Sequence, residues 1–222
     1  MLSLRDVMSI KVLIADDHRI MRDGLRAMLE KEPDIKVVGD APNGRMAQLL
    51  SRDLIPDVII MDISMPELNG IDATKQIAAE FRGVKIIALS MHSDRRFVLN
   101  MLKAGAAGYM LKDDAFKNLA KAVRMVAAHK TYLSREISDL LENDCRSLST
   151  FLESADFQLL SCREREVLQL VTEGKTSNQI ADSLHISVKT VETHRQQVME
   201  KLNIKGVAEL TKYAIREGLT SL

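Results

Sequence analysis

The stretch that decides the fold spans residues 57–70 and reads DVIIMDISMPELNG. Its first part, Asp57 to Met61, is rich in β-branched apolar residues and predicts a buried strand that ends at Asp62. The proline, asparagine and glycine that follow favour a loop, and a helix is predicted from about Gly70 to Glu80. The stretch therefore predicts a strand, a loop that opens with a carboxylate, and a helix.

The same alternation of strand and helix fills the first half of the chain. Four further strands are predicted, at residues 10–15, 35–38, 84–89 and 107–111. Four further helices are predicted, at residues 20–29, 43–51, 94–103 and 115–128. Strand–helix units in succession form parallel sheets covered by helices on both faces, so we predict a doubly wound α/β domain with a five-stranded parallel sheet.

The second half of the chain has helical patterns and no comparable strand. Residues 130–157 are polar and irregular, which predicts an interdomain linker with some helical character. Beyond it, Ser161-x-x-Glu164 and Thr176-x-x-Gln179 are capping boxes, in which side chains satisfy the free N–H groups of a helix start. Ser187 is a third candidate N-cap, so residues 158–222 predict a small all-α domain.

The composition limits the functions to consider. The 222 residues are 46% hydrophobic with four prolines and ten glycines, which is enough for two packed cores. The two cysteines, Cys145 and Cys162, are far apart and indicate neither a zinc site nor a disulfide framework. No apolar run approaches the roughly 20 residues of a membrane span, and the N-terminus lacks a secretory signal. We therefore expect a soluble cytoplasmic protein that is not attached to a membrane.

Polar side chains stand at four predicted strand ends. Asp16 and Asp17 follow the first strand, Asp62 ends the third, Ser90 the fourth and Lys112 the fifth. Strand ends can be polar simply because they meet solvent, but the carboxyl ends of a doubly wound sheet are also where ligands collect. Three carboxylates in one pocket repel one another, and Mg²⁺ with its preference for oxygen ligands would relieve that repulsion.

A phosphoryl acceptor is the chemistry that this set of groups favours. With a cation bound, one carboxylate can attack phosphorus and form an acyl phosphate. An ammonium such as that of Lys112 would stabilise the charge on the transferred group, and Ser90 can donate a hydrogen bond to it.

These residues resemble the receiver domain of two-component response regulators, which has a flavodoxin-like fold, over about residues 10–128. The resemblance rests on the acid pair, the DxxMPxxxG block of residues 62–70, and single residues at the last two strand ends: Asp16, Asp17, Ser90, Tyr109 and Lys112. We take residues 9–129 as the receiver and residues 130–157 as the linker.

The resemblance implies a role for each residue of the set. Asp62 would accept a phosphoryl group from a sensor histidine kinase. Mg²⁺ would be bound by Asp17, Asp62 and the carbonyl of Ser64, with Asp16 acting mainly through water. Ser90 and Tyr109 would be the switch pair that reports phosphorylation. The alternatives are a helix N-cap for Asp16 and a half-buried strand aromatic for Tyr109.

The resemblance also points to two residues that affect how long the acyl phosphate lasts. Ser64 and His92 occupy positions that tune its lifetime in receivers, and the sequence leaves the effect of His92 open.

Residues 187–202 predict a helix with one apolar and one polar face. Val188, Val191, Val198 and Leu202 fall on the apolar side with Arg195 at its margin, and the polar side carries Lys189, Glu192, Thr193, Gln196 and Glu200. An isolated helix with this pattern could simply face solvent. However, a short helix at residues 176–184 precedes it across a tight turn, which favours a helix-turn-helix.

In a helix-turn-helix, the polar side of the second helix enters the DNA major groove. Lys189 could contact phosphate or guanine, Gln196 adenine, and Glu192 cytosine, while the Thr193 methyl could contact thymine. The start of the first helix could meet phosphate through its N–H groups, at Thr176, Ser177 and Asn178. The head group of Arg195 can reach outward while its stem packs, so Arg195 is a further predicted DNA-binding residue.

The charge of this region is nearly balanced. Residues 159–222 hold nine basic and eight acidic side chains. Because phosphate neutralisation supplies much of the affinity for DNA, one copy should bind double-stranded DNA weakly. We therefore expect a homodimer on paired half-sites.

Residues 159–219 resemble the LuxR-type helix-turn-helix. The resemblance rests on the REREVL start, the xNxxIAxxLxIS core and the TVxxHRxxxMxKL helix. With the receiver, it identifies the chain as similar to response regulators of the NarL/FixJ class, which are transcription regulators and not enzymes. The resemblance implies base contacts from Glu192, Thr193 and Gln196, although many members carry lysine where Glu192 stands.

Three rival functions stay open. Haloacid dehalogenase-like phosphohydrolases use a similar aspartate with Mg²⁺, but they place a second aspartate where Ser64 stands, and an aryl phosphate assay would separate them. A flavodoxin-like cofactor binder would be coloured, although the acidic pocket would repel a flavin phosphate. A regulator that works without phosphorylation would bind DNA equally with and without the phosphate mimic beryllofluoride.

Overall fold

The first domain is a parallel α/β sheet domain in the computed structural model, which describes residues 9–91, 93–142 and 159–220. The strand order is β2-β1-β3-β4-β5-β6, with all pairs parallel. The strands are β1 (Ile10–Ala15), β2 (Ile35–Ala41), β3 (Val58–Asp62), β4 (Lys85–Ser90), β5 (Gly108–Leu111) and β6 (Tyr132–Leu133).

Helices cover both faces of this sheet, as predicted. They are α1 (Arg19–Leu29), α2 (Gly44–Leu54), α3 (Gly70–Glu80), α4 (Arg95–Ala104), α5 (Lys112–Ala127) and α6 (Arg135–Glu142). Alternate residues of each strand face opposite sides, so Val12 packs with α1 and α5, and Leu13 packs with α2, α3 and α4. All five residues of β3 are buried, which explains their continuous apolar character.

The sheet has a sixth strand that the sequence did not predict. Residues 132 and 133 pair with β5, and α6 follows, so the prediction of five strands is corrected. Both elements lie inside the segment that we predicted as a linker. A two-residue strand has no alternation to read, and its pairing depends on the exposed edge of β5. Residues 143–157 of that segment, which include Cys145, and His92 lie outside the described residues.

The chain reverses sharply between β3 and α3. The N–H of Gly70 donates to the carbonyl of Ile63 over 2.8 Å, which closes the loop of residues 63–70. A Cβ atom on Gly70 would lie 1.9 Å from the carbonyl oxygen of Asp62. Only glycine therefore allows α3 to begin this close to the strand end that carries the central carboxylate.

The second described region is a four-helix domain. Its helices are α7 (Cys162–Thr172), α8 (Ser177–Leu184), α9 (Val188–Leu202) and α10 (Val207–Arg216). Both predicted capping boxes are present, at Ser161 and Thr176, and the Ser187 side chain accepts from the N–H of Thr190. Apolar clusters lie on two sides of α7, one with α8 and the start of α9, the other with the end of α9 and α10.

The apolar side of α9 is shorter than predicted. Val191 and Val198 are buried, but Val188 is 40% exposed, so its prediction as a core residue is wrong. It is the first residue of the helix and lies at the edge of the cluster, where periodicity alone cannot tell buried from exposed. Among the described residues, no helix is long and apolar enough to cross a membrane.

The Gly70 geometry gives a stability prediction. The Gly70→Ala variant should lose at least about 2 kcal/mol of the receiver's free energy of unfolding in a denaturant titration, because the new methyl group meets backbone. Gly24→Ala is the matched control. No atom lies within 4 Å of its added Cβ in α1, so it should gain about 0.5–1 kcal/mol. Equal stability of the two variants would contradict this account of the loop.

Candidate functional site

Three carboxylates meet at the switch point of the sheet, where β1 lies between β2 and β3. Asp16 and Asp17 follow β1, and Asp62 ends β3. Together with His18 they offer ligand atoms that all lie within 4.8 Å of one another. The sequence predicted the three acids but missed His18. Its position next to the acid pair was the available signal.

Lys112 places its ammonium between two of these acids. Its Nζ lies 2.7 Å from Oδ2 of Asp16 and 3.1 Å from Oδ2 of Asp62. The lysine is 6% exposed, and burial opposes its charged form. Attraction by the two carboxylates outweighs that burial and holds the pKa of Lys112 above its ordinary value. The ammonium is therefore held charged at the strand ends.

Asp62 is a buried acid with an elevated pKa. It is 4% exposed, and its Oδ1 accepts from the N–H of Ile63 over 2.8 Å. Burial is the main cause that raises the pKa of Asp62 to about 7, and repulsion by Asp16 adds to it. Attraction by Lys112 offsets part of the rise. The site therefore favours the binding of a cation or another positively charged group beside Asp62.

The free oxygens of the acid pair indicate where a cation fits. Both carboxylate oxygens of Asp16 are engaged, because Oδ1 accepts from the N–H of His18 and Oδ2 from Lys112. Oδ1 of Asp17 is buried and accepts no hydrogen bond of normal geometry, although Nδ1 of His18 lies 2.7 Å away. Asp17 therefore has a buried oxygen that is available to a hard cation.

Ser90 and Tyr109 are in contact beside the acid cluster. Both side chains are buried, at 1% and 0% exposure, and the Tyr109 hydroxyl hydrogen-bonds with Ser90. Burial raises the pKa of Tyr109 to about 12, so its hydroxyl stays protonated. The structure brings together the two residues that the sequence paired, and Tyr109 is fully buried rather than half-buried.

The polar face of α9 is open to solvent. Lys189, Glu192, Thr193 and Gln196 are exposed, as are Thr176 and Asn178 near the start of α8. The Thr193 hydroxyl donates to the carbonyl of Lys189 over 2.9 Å, which leaves its methyl group as the part available to a partner. Among the described residues, none of the receiver covers these side chains of α9.

Glu192 is engaged with neighbouring side chains. Its carboxylate accepts from the hydroxyl of Ser177 on α8, and Nη1 of Arg195 lies 3.4 Å from it. Nη1 of Arg195 also lies 3.0 Å from the Ser177 hydroxyl, so three predicted contact residues form one cluster across the two helices. The sequence missed this cluster, because it joins residues that are far apart along the chain.

The class of protein follows from the acid cluster of the first domain and the helix arrangement of the second. An acid cluster with a buried lysine at the carboxyl edge of a doubly wound sheet defines a receiver domain. Two capped helices across a tight turn define a helix-turn-helix.

Comparison with known proteins shows the family. Residues 12–124 match the family described as response regulator receiver domain, and residues 158–214 match bacterial regulatory proteins of the luxR family. The chain belongs to the response regulators that join a receiver to a LuxR-type DNA-binding domain, and it is a transcription regulator of the NarL/FixJ class.

Relatives of this type match along nearly the whole chain. The oxygen regulatory protein NreC of Staphylococcus epidermidis is 39% identical, over 95% of this chain and 99% of that protein. The response regulator UvrY of Escherichia coli is 38% identical, over 95% of each chain. A solved structure of RcsB from Salmonella enterica serovar Typhimurium, bound to promoter rprA with the phosphomimetic BeF₃⁻, covers 92% of this chain and 98% of that one, at 29% identity and a TM-score of 0.59.

The elevated pKa of Asp62 predicts how stability depends on pH. The folded protein binds the Asp62 proton more tightly than the unfolded chain does. Proton binding at Asp62 therefore contributes fully to the free energy of unfolding below about pH 4, and this contribution is lost as pH rises towards 7. Without divalent cations, Asp62→Asn should therefore raise the free energy of unfolding at pH 8 by on the order of 2 kcal/mol, and the gain should shrink towards pH 4.

Denaturant titrations at several pH values measure this effect. Asp53→Asn, at an exposed position of α2, is the matched control and should change stability by less than about 0.5 kcal/mol. A loss of stability in Asp62→Asn at pH 8 would contradict the electrostatic account of the site.

Proposed function

We propose that Asp62 accepts a phosphoryl group from a sensor histidine kinase, and that the acyl phosphate controls how the second domain binds double-stranded DNA. The observation that carries this proposal is that the buried Lys112 lies within 3.1 Å of the buried Asp62 beside two further acids. A buried acid with an elevated pKa and a fixed ammonium is costly to keep, and such sites are typical of chemical function.

For the phosphoryl transfer, the protein has mainly to position the reacting groups and to stabilise the charge on the phosphoryl oxygens. An oxygen of the Asp62 carboxylate attacks phosphorus, the nitrogen–phosphorus bond of the kinase's phosphohistidine breaks, and the electron pair returns to the imidazole. Lys112 then has a phosphoryl oxygen as well as a carboxylate to pair with, and its buried ammonium stabilises the added charge. Ser90 donates a hydrogen bond to another phosphoryl oxygen.

The divalent cation proposed for this site is Mg²⁺, which would offset the repulsion between the acids and the incoming phosphoryl group. Asp17 and Asp62 would hold it with the carbonyl oxygen of Ser64, and Asp16 would contribute mainly through water. The buried Oδ1 of Asp17, which accepts no hydrogen bond of normal geometry, supports a direct role for Asp17.

Ser90 and Tyr109 are proposed to transmit the effect of phosphorylation from Asp62 to α4. A phosphoryl oxygen competes with Tyr109 for the hydroxyl of Ser90. The Tyr109 ring packs in the same apolar cluster as Val98 and Met101 of α4, so a change at the hydroxyl reaches that helix directly. The face formed by α4 and β5 is then the surface that rearranges in the phosphorylated form.

The second domain is proposed to read DNA with α9, as a homodimer on paired half-sites. Lys189, Thr193 and Gln196 would contact bases or phosphates, and the start of α8 at Thr176, Ser177 and Asn178 would contact phosphate. Phosphate would compete with Glu192 for Ser177 and Arg195, which would free the Glu192 carboxylate to accept from cytosine. The near-neutral charge of the domain supports a need for two copies.

Phosphoryl labelling tests the acceptor directly. Incubation with Mg²⁺ and radiolabelled acetyl phosphate should give an alkali-labile label on the full-length protein, and the label should be absent from Asp62→Asn. Asp53→Asn should label like the unsubstituted protein. Retention of the label in Asp62→Asn would refute the assignment. Rapid turnover of a generic aryl phosphate would instead favour a phosphohydrolase.

A further inference from the structure

The turn between β1 and α1, which carries the acid pair, is bound by one arginine of the helix. Arg22 lies one turn into α1, and its side chain is 13% exposed. Its Nη1 donates to the carbonyl of Asp16 over 2.7 Å and to the carbonyl of Asp17 over 3.3 Å. Arg22 therefore binds the acid pair through the main chain of both residues.

The two carbonyls lie on either side of the Cα atom of Asp17. The carbonyl of Asp16 belongs to the peptide group before that atom, and the carbonyl of Asp17 belongs to the peptide group after it. Because each peptide group is planar, a residue turns only about its φ and ψ angles. Hydrogen bonds to both peptide groups therefore fix the direction in which the Asp17 side chain leaves the main chain.

The carboxylate of Asp17 is held less firmly than that of Asp16. The carboxylate of Asp16 accepts from the N–H of His18 and from the ammonium of Lys112. In contrast, Oδ1 of Asp17 is buried and accepts no hydrogen bond of normal geometry. The neighbouring ring of His18 is 72% exposed and so offers little restraint. The direction of the Asp17 carboxylate therefore depends mainly on its main chain.

The guanidinium of Arg22 is itself fixed by the end of β2. Its Nε donates to Oδ2 of Asp40 over 3.0 Å, and Nη2 of Arg26 donates to Oδ1 of the same carboxylate over 2.7 Å. A guanidinium presents its donors in a rigid plane, so it can bridge a carboxylate and a pair of carbonyls, whereas an ammonium is a point charge on a flexible stem. Arg22 thus connects β2 to the turn that carries the acid pair.

We infer that Arg22 is a positioning residue for the cation of the Asp62 site. It holds the peptide groups on both sides of Asp17, so the free oxygen of that carboxylate is in place before Mg²⁺ binds. This inference rests on the proposed function of Asp62. Mg²⁺ demands near-ideal octahedral geometry, and the loss of a group that orients a metal ligand typically weakens metal binding by roughly 10–100-fold.

The charge of Arg22 acts in the opposite direction to its hydrogen bonds. A positive charge near the site repels Mg²⁺, so the loss of charge alone would tighten cation binding. The Asp40 carboxylate, 3.0 Å from the guanidinium, compensates this charge. No such compensation exists for the two hydrogen bonds to the turn, which are lost with the side chain. Positioning therefore outweighs repulsion, and the two effects can be separated by substitution.

The test is an amide NMR titration of the full-length protein with Mg²⁺ alone. Arg22→Lys keeps the charge but cannot bridge both carbonyls and Asp40, so the Kd for Mg²⁺ should rise about threefold. Arg22→Met removes the donors as well as the charge, and its Kd should rise about tenfold. Arg26→Met is the matched control, because Arg26 binds the same carboxylate of Asp40 from the next turn of α1. Its Kd should change by less than about twofold.

Denaturant titrations without Mg²⁺ show whether a variant is merely less stable. A loss of stability in the Arg22 variants with an unchanged Kd would assign Arg22 a structural role only and overturn the inference. Tighter binding in Arg22→Met with an unchanged Arg22→Lys would show that charge alone acts, and would overturn it too. Equal weakening in Arg26→Met has the same consequence.

Two provisions keep the result decisive. If Arg22→Met does not fold, Arg22→Lys decides between positioning and charge by itself, because only positioning predicts a weaker affinity for it. Asp17→Asn tests the cation site independently of Arg22 and should lose Mg²⁺ binding. Binding by Asp17→Asn with the affinity of the unsubstituted protein would overturn the proposed cation site rather than the role of Arg22.

Discussion

The close packing of Asp62 between a lysine and two further acids is the constraint on which the rest of the structure depends. A carboxylate at 4% exposure with acids beside it is unfavourable, and the attraction of Lys112 only partly offsets that cost. The sheet must deliver three strand ends to one point, and Gly70 must let α3 start against the carbonyl of Asp62. The unfavourable charge is what prepares the site for a cation and a phosphoryl group.

The receiver and the DNA-binding domain meet at the loop that directly follows Asp62. The loop of residues 63–70 follows Asp62 on one side and is held by Gln169 and Glu173 on the other. A chemical event at the acid cluster and a movement of the second domain therefore act on the same peptide groups. This arrangement gives a physical route between the two domains that does not require the polar face of α9 to be covered.

The sequence predicted those features that local pattern and chemistry decide. Continuous apolar runs marked the five long strands, and the acids at their ends marked the site, because a parallel sheet brings its carboxyl ends together. Capping boxes at Ser161 and Thr176 marked two helix starts. The two-residue β6 and the exposure of Val188 could not be predicted, since pairing with an existing edge and position at the rim of a core leave no periodic signal. The cluster of Ser177, Glu192 and Arg195 and the contacts of Gln169 depend on tertiary placement.

The central claim is that occupancy of the Asp62 site controls DNA binding by the second domain. The most direct measurement is the affinity of full-length protein for a duplex selected from a random library, with and without Mg²⁺ and beryllofluoride. The account predicts that the mimic tightens binding about tenfold and protects two half-sites, and that Asp62→Asn shows no such response. Equal affinity of the unsubstituted protein in both conditions would contradict it.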